Sequence, residues 1–269
     1  MTDIPEMVPI TVTSVEEFVV KVQQIKATRE ADDHNEDLYF RGQKEGKALL
    51  PKIATVEMKR QTDDRLRFEQ LIFDEFKRKL LPLSEFSLTD DWGRLALAQH
   101  HGLPTRLLDW SMSGLVALWF AISSRPGASN LESGVVWVFT PSNNDFRTPK
   151  DPNPFSNKKT KIFRPPVVGR RILAQHGIFT CHRFNDEKGF IPLEKQVSYR
   201  NKLTPIMIPH APRRFQQMRK SLDMLGVNAS TIFPDLDGLC QHLEWRFFKS
   251  KGEQLAGEPA NLATDNARC

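Results

Sequence analysis

The sequence predicts an α+β fold: a single domain with a small, mostly antiparallel sheet flanked by helices. Three observations lead there. Short apolar runs of strand length stand at 38–40, 134–139, 177–182 and 203–208. Stretches with apolar residues every three to four positions separate them. No internal repeat and no convincing linker interrupts residues 14–249.

Composition supports a folded chain. Of 269 residues, 39% are hydrophobic and 26% charged, ordinary for a globular protein and too apolar for whole-chain disorder. Lys and Arg exceed Asp and Glu by 38 to 33, a net +5 that permits an anionic partner without indicating one. No apolar run approaches the roughly 20 residues of a membrane span. The start, MTDIPEMVPI, has no basic, apolar export pattern. Cys181, Cys240 and Cys269 form no CxxC pair, so they read as free thiols of a cytoplasmic protein rather than as a zinc knuckle or redox dithiol.

The elements follow in order. Residues 1–13 read as a flexible N-terminus. Ser14 caps a helix carrying Val15, Phe18, Val19, Val22 and Ile25 on one face, with Glu17 at capping-box spacing. Residues 28–37 are polar and read as a loop, and Leu38-Tyr39-Phe40 as a buried strand running into Arg41-Gly42-Gln43. Amphipathic helices are expected over 62–81 and 89–101, the second capped by Thr89 and stopped by Gly102. Pro104 sets a loop or short extended segment, and a helix follows from Ser111 or Ser113. That helix is apolar nearly all round through Ala117-Leu118-Trp119-Phe120-Ala121 and should be central. After the strand at 134–139, residues 141–160 read as a mobile loop. Pro212 opens a helix that Gly226 ends, and a last helix runs from Leu236 to Phe248. Residues 250–269 read as a disordered tail.

Three motifs carry a family resemblance: Phe40-Arg41-Gly42; the run from His101 through Leu103-Pro104-Thr105-Arg106-Leu107-Leu108-Asp109-Trp110; and Ile232-Phe233-Pro234-Asp235-Leu236-Asp237-Gly238-Leu239. The chain resembles the FRG domain, over residues 14–249. That family is largely bacterial and phage-borne, has no settled general activity, and is linked by a suggested kinship to ADP-ribosyltransferases. The resemblance implies an ADP-ribosyltransferase-like fold. It also implies an NAD-dependent enzyme, a toxin or phage-defence effector acting on protein or nucleic acid. Arg41 would then match the arginine that holds NAD on the first core strand. The late catalytic glutamate of those enzymes has candidates in Glu132, Glu187 and Glu194, none in a recognisable Gln-x-Glu or Glu-x-Glu, with Glu194 in the best-placed segment. The alternative is a non-catalytic nucleotide- or RNA-binding module.

Residue chemistry leaves these alternatives open. Arg41 offers a planar donor fork for phosphate, or pairs with a carboxylate at the sheet edge. Gly42 allows close approach to the main chain by a ligand. The expected nucleotide site comprises Arg41, Gly42, Gln43, Thr105, Arg106, Asp109 and Ser111, with no metal. Arg106 either shares a cleft with Arg41 as a dinucleotide clamp or bridges to Asp109 or a glutamate inside the domain. Ser111 and Ser113 are helix caps or phosphate contacts. His101 caps a helix, and Gln175 is a further polar candidate. Asp235 and Asp237 are a helix-start pair or a magnesium site. Lys158, Lys159, Lys161 and Arg164 are a solvated run or a phosphate contact.

Overall fold

The computed structural model describes residues 9–29, 37–59, 64–80, 82–83, 88, 90–123, 133–151, 153–165 and 177–248. Nine strands are described: β1 (Ile10–Thr11), β2 (Tyr39–Gln43), β3 (Leu107–Ser111), β4 (Gly134–Phe139), β5 (Lys161–Phe163), β6 (Gly177–Cys181), β7 (Phe184–Asn185), β8 (Gly189–Phe190) and β9 (Leu203–Ile208). Eight helices are described: α1 (Val15–Arg29), α2 (Lys52–Thr55), α3 (Arg65–Leu80), α4 (Asp91–His100), α5 (Gly114–Ile122), α6 (Pro212–Met224), α7 (Ala229–Ile232) and α8 (Leu236–Phe247). The class is α+β, with a mostly antiparallel open sheet in the order β1-β9-β4-β2-β3-β6-β5. Among the described strand pairs, β1 with β9 is the parallel one, and β7 and β8 form a separate hairpin.

Strand alternation explains which residues enter the core. Phe40, Val136, Val138, Ile206 and Ile208 pack with α1, α5 and α6 on one face. Tyr39, Leu108, Trp110, Val135, Trp137, Phe139 and Leu203 pack on the other, under Leu49, Leu193 and Tyr199. A third cluster joins β3, β5 and β6 to Phe73 of α3 and Trp92 and Leu95 of α4.

Helix α5 is the centre of the first layer, as its all-round apolar sequence requires. It lies close to the sheet because its facing residues are small. A Cβ on Gly42 would stand 1.8 Å from the Ala117 carbonyl oxygen, and one on Gly134 would stand 2.6 Å from that of Ala121. Gly42 therefore admits the α5 backbone rather than a ligand. This corrects the expected role of Gly42 and explains the Phe-Arg-Gly order. Phe40 and Gly42 turn to the helix, so Arg41 turns away.

The caps follow the sequence closely. The Ser14 hydroxyl accepts from the Glu17 amide (3.2 Å), and Ser113 accepts from Val116 N (3.3 Å) at the start of α5. Asp90 caps α4 through Gly93 N, at 2.8 Å; Thr89 lies outside the described residues. Gly102 and Gly226 have φ of 87° and 79°, left-handed values that let the chain leave α4 and α6 without Cβ strain.

Two expectations change. Part of the N-terminal lead-in is ordered by the sheet edge: Ile10 and Thr11 pair with Ile206 and Met207, and Val12 is buried. Residues 1–8 and 249–269 lie outside the described residues, as do Glu132, Gln175 and His176. The segment 141–160 is pinned rather than free. Buried Asp145 takes Lys202 Nζ (2.6 Å) and the Ser142 amide (2.9 Å), and the Trp92 indole donates to the Asp151 carbonyl (3.0 Å). Polar composition reads as loop, and loop it is, but Lys159 and Thr160 also have partners in the domain, in the Asn144 carbonyl (2.8 Å) and Gln196 (2.9 Å).

Candidate functional site

Strands β2 and β3 pair at a single position, Phe40 with Ser111, and then part. Past that point the Arg41 side chain takes the place of the backbone ladder. Its Nη1 donates to the Asp109 carbonyl (2.8 Å) and to Asp109 Oδ2 (2.9 Å). Gln99, from the last turn of α4, donates to Asp109 Oδ1 (2.8 Å), and the Thr105 hydroxyl donates to Gln99 Oε1 (2.7 Å). Thr105, Gln99, Asp109 and Arg41 thus form one hydrogen-bonded chain across the opening. The Asp109 side chain is 56% exposed and that of Arg41 23%. On the same strand as Arg41, Gln43 Oε1 accepts from the Trp137 indole (3.0 Å).

Arg41 keeps unused donors. Its Nε is buried without a partner, and no described residue accepts from Nη2. Nε and Nη2 form one edge of the guanidinium, the edge that grips an oxyanion with two parallel bonds.

His182, fully buried just past β6, is the second unusual group. Burial first, then the Arg41 and Arg106 charges, lowers its pKa from 6.5 to about 3, so the ring stays neutral. Its Nε2 stands 3.3 Å from the Thr180 hydroxyl, which accepts from the Trp110 indole (3.1 Å) and donates to the Leu108 carbonyl (3.4 Å). A hydroxyl so committed accepts from Nε2–H, which leaves the lone pair on Nδ1, also buried without a partner. Between pH 6.5 and about 3 the unfolded chain binds a proton at this site that the folded chain refuses. The stability contribution is complete above pH 6.5 and is lost as pH falls through that window. His182→Gln is expected to flatten the dependence of urea-unfolding stability on pH there; an unchanged slope would show that His182 is not held neutral.

The other expected site residues lie elsewhere. Arg106 is 1% exposed and Glu69 3%; Nη2 to Oε2 is 2.6 Å and Nε to Oε1 3.1 Å. Rings of Phe155 and Phe190 lie 4.6 and 5.7 Å from its guanidinium carbon. The glutamate bridge, not the shared cleft, is what the geometry shows, and Arg106 is scaffold. Ser111, mostly buried at the end of β3, accepts from Ser113 N (3.0 Å) and shapes the turn into α5. Glu194 accepts from the Leu49 amide (3.1 Å), docking the segment after β2. Among the described contacts it does not meet Arg41; the carboxylate against Arg41 is Asp109.

The remaining candidates have local partners too. Asp235 accepts from Gly238 N (2.8 Å) as the α8 cap. Lys161 pairs with Asp151 (3.2 Å) and Arg164 with Asp37 (2.7 Å), so the basic run is largely neutralised in place. Burial pushes the Cys181 thiol up to about 12, which makes it unreactive at neutral pH. Among the described residues no cluster of three His, Cys, Asp or Glu could hold a metal, and no helix is long and apolar enough to cross a membrane. Sequence reasoning missed Gln99 and His182. Gln99 reads as one more polar residue in a helix end, and a lone histidine after a strand carries no spacing signal.

The fold and this opening define an α+β domain whose strand arginine is set by a motif aspartate from the neighbouring strand. The FRG domain family model matches residues 36–129, from just before β2 to just beyond α5. This stretch contains Arg41, Gly42, Gln99, Thr105 and Asp109, whereas His182, Trp137 and Glu194 lie beyond it. No curated protein and no solved structure matches the chain.

Proposed function

We propose that the β2–β3 opening binds the phosphate of a nucleotide and that the domain is a nucleotide-recognition module. One observation carries this reading. The Arg41 guanidinium is oriented by Asp109 through Nη1, its buried Nε has no partner, and no described residue accepts from its Nη2. Orienting an arginine in advance removes part of the entropy cost of gripping an anion. Dinucleotides and RNA present the same phosphate chemistry, and NAD is the first ligand to test.

The test is calorimetric titration of the protein with NAD, ADP-ribose, ATP and a short RNA. Arg41→Ala is expected to lower affinity by about ten- to a hundredfold, the worth of a charge-assisted contact of roughly 1.5–3 kcal/mol. Its melting temperature should change little, because the Asp109 carboxylate left behind is exposed to water. Arg41→Lys keeps the charge without the fork and should recover little. Binding by the variants equal to wild type would remove the reading.

A catalytic version has one feature in its favour: Asp109, an exposed carboxylate, is held by Arg41 and Gln99 beside the proposed phosphate position. In an NAD-dependent ADP-ribosyl transfer, such a group would steady the positive charge developing on the ribose carbon. Glu194 would first have to release the Leu49 amide. Cleavage of NAD is supported if purified protein releases nicotinamide and Asp109→Asn abolishes the release; transfer to protein or nucleic acid, as in a toxin or phage-defence effector, further requires that the ADP-ribose be recovered on the acceptor rather than as free ADP-ribose. Turnover retained in Asp109→Asn but lost in Glu194→Gln would assign the carboxylate to Glu194.

A further inference from the structure

Helix α8 is built inside out. Its inward contacts are narrow: Gly238 and His242 are buried, and a Cβ on Gly238 would stand 2.0 Å from the Phe233 carbonyl. Trp245, on the same side, lies beneath Arg219, 4.8 Å from ring centre to guanidinium carbon. The leucines face water instead. Leu236, Leu239, Leu243 and Phe247 recur at intervals of three and four residues and are 77%, 44%, 42% and 70% exposed. These four leave roughly 400–500 Å² of apolar surface in one stripe, and Phe248, with extended backbone just past the helix end, adds about 150 Å² beside it. That exceeds what a lone surface residue explains and marks an interface.

We propose that a second copy of this chain covers the stripe, through an α8–α8 pair. Three features favour this occupant. Apolar residues three and four positions apart form a single face along the helix, the kind of face that a second helix covers. The area, with a polar rim, comes near the about 800 Å² per partner of a stable complex. The edges are also complementary: Asp237 and Glu244 lie on one side of the stripe and Arg246 on the other. In a parallel two-fold pair each helix sets its basic edge against its partner's acidic edge. The surface lies outside the β2–β3 opening, so it stands independently of the nucleotide reading.

Sedimentation equilibrium in reducing buffer tests it; the reductant keeps exposed Cys240 from cross-linking. The wild type should show twice the 30.9 kDa chain mass at micromolar concentration. Leu243→Glu should weaken association on the order of a hundredfold with an unchanged circular dichroism melt, since its side chain is exposed in the single chain. Arg246→Glu should weaken it roughly tenfold, and adding Glu244→Arg should restore it. A wild type that stays at single-chain mass up to about 100 μM, roughly tenfold above the micromolar range expected for such an interface, overturns the proposal. So does a dimer that Leu243→Glu leaves intact. Failure of the charge swap alone overturns the parallel arrangement.

Discussion

Gly42→Ala is expected to cost about 4 kcal/mol or more, the extreme end for a single substitution. The added methyl would sit 1.8 Å from the Ala117 carbonyl oxygen and 2.9 Å from the Ala121 amide nitrogen, so it meets main chain that no rotamer change can move. Either β2 shifts out of the sheet or α5 lifts from it, and both loosen the largest core cluster. Domains of this kind are stable by only about 5–15 kcal/mol, so the substitution should remove from about a quarter to most of that margin. Ala117→Gly should not rescue it, because the clash is with the carbonyl and not the side chain. Gly46→Ala is the control: its Cβ would meet only the Val135 side chain at 3.7 Å, an ordinary contact. Urea midpoints for the two variants decide the matter. A Gly42→Ala protein as stable as Gly46→Ala would mean that the strand is not held against the helix as described.

The second large effect is at the buried ion pair. Arg106→Ala leaves the Glu69 carboxylate, 3% exposed, without its cation, and an uncompensated buried charge costs roughly 3–5 kcal/mol. Glu69→Ala should cost a similar amount, since it strands the guanidinium between Phe155 and Phe190. Replacing both with apolar residues of similar volume, Arg106→Met with Glu69→Leu, should recover much of the loss or exceed the wild type, because neither ion is then desolvated. The double-mutant cycle therefore has large single effects and strong non-additivity. Arg106→Ala with wild-type stability but weakened nucleotide binding would return Arg106 to the ligand site. Together with Arg41→Ala, for which lost binding with stability kept is the expected result, this measurement tests whether the two arginines of the motifs separate into one that serves the opening and one that serves the scaffold.

The sequence by itself determined most of the elements. Patterning placed β4 and β9 and most of the long helices to within a few residues, because a run of buried β-branched and aromatic residues or a 3.6-residue period is a local property. Caps and stops at Ser14, Ser113, Asp235, Gly102 and Gly226 were legible for the same reason: each satisfies a backbone group a few residues away. The shortest pieces, β1, β5, β7, β8, α2 and α7, carry too few residues for a period to emerge, and their existence depends on the neighbour they pair with. Partners were the part left to tertiary structure. Arg106 stands three residues from Asp109 in sequence, yet its cation goes to Glu69 on α3, while Asp109 goes to Arg41 on another strand. Charge near apolar residues says that a partner must exist and not which one, because pairing across 37 or 68 positions is decided by how β3 is inserted between β2 and β6. Gly42 is the sharpest case. Its lack of a side chain was visible at once, but whether a ligand or a helix occupies that space was decided only when α5 came down on the sheet.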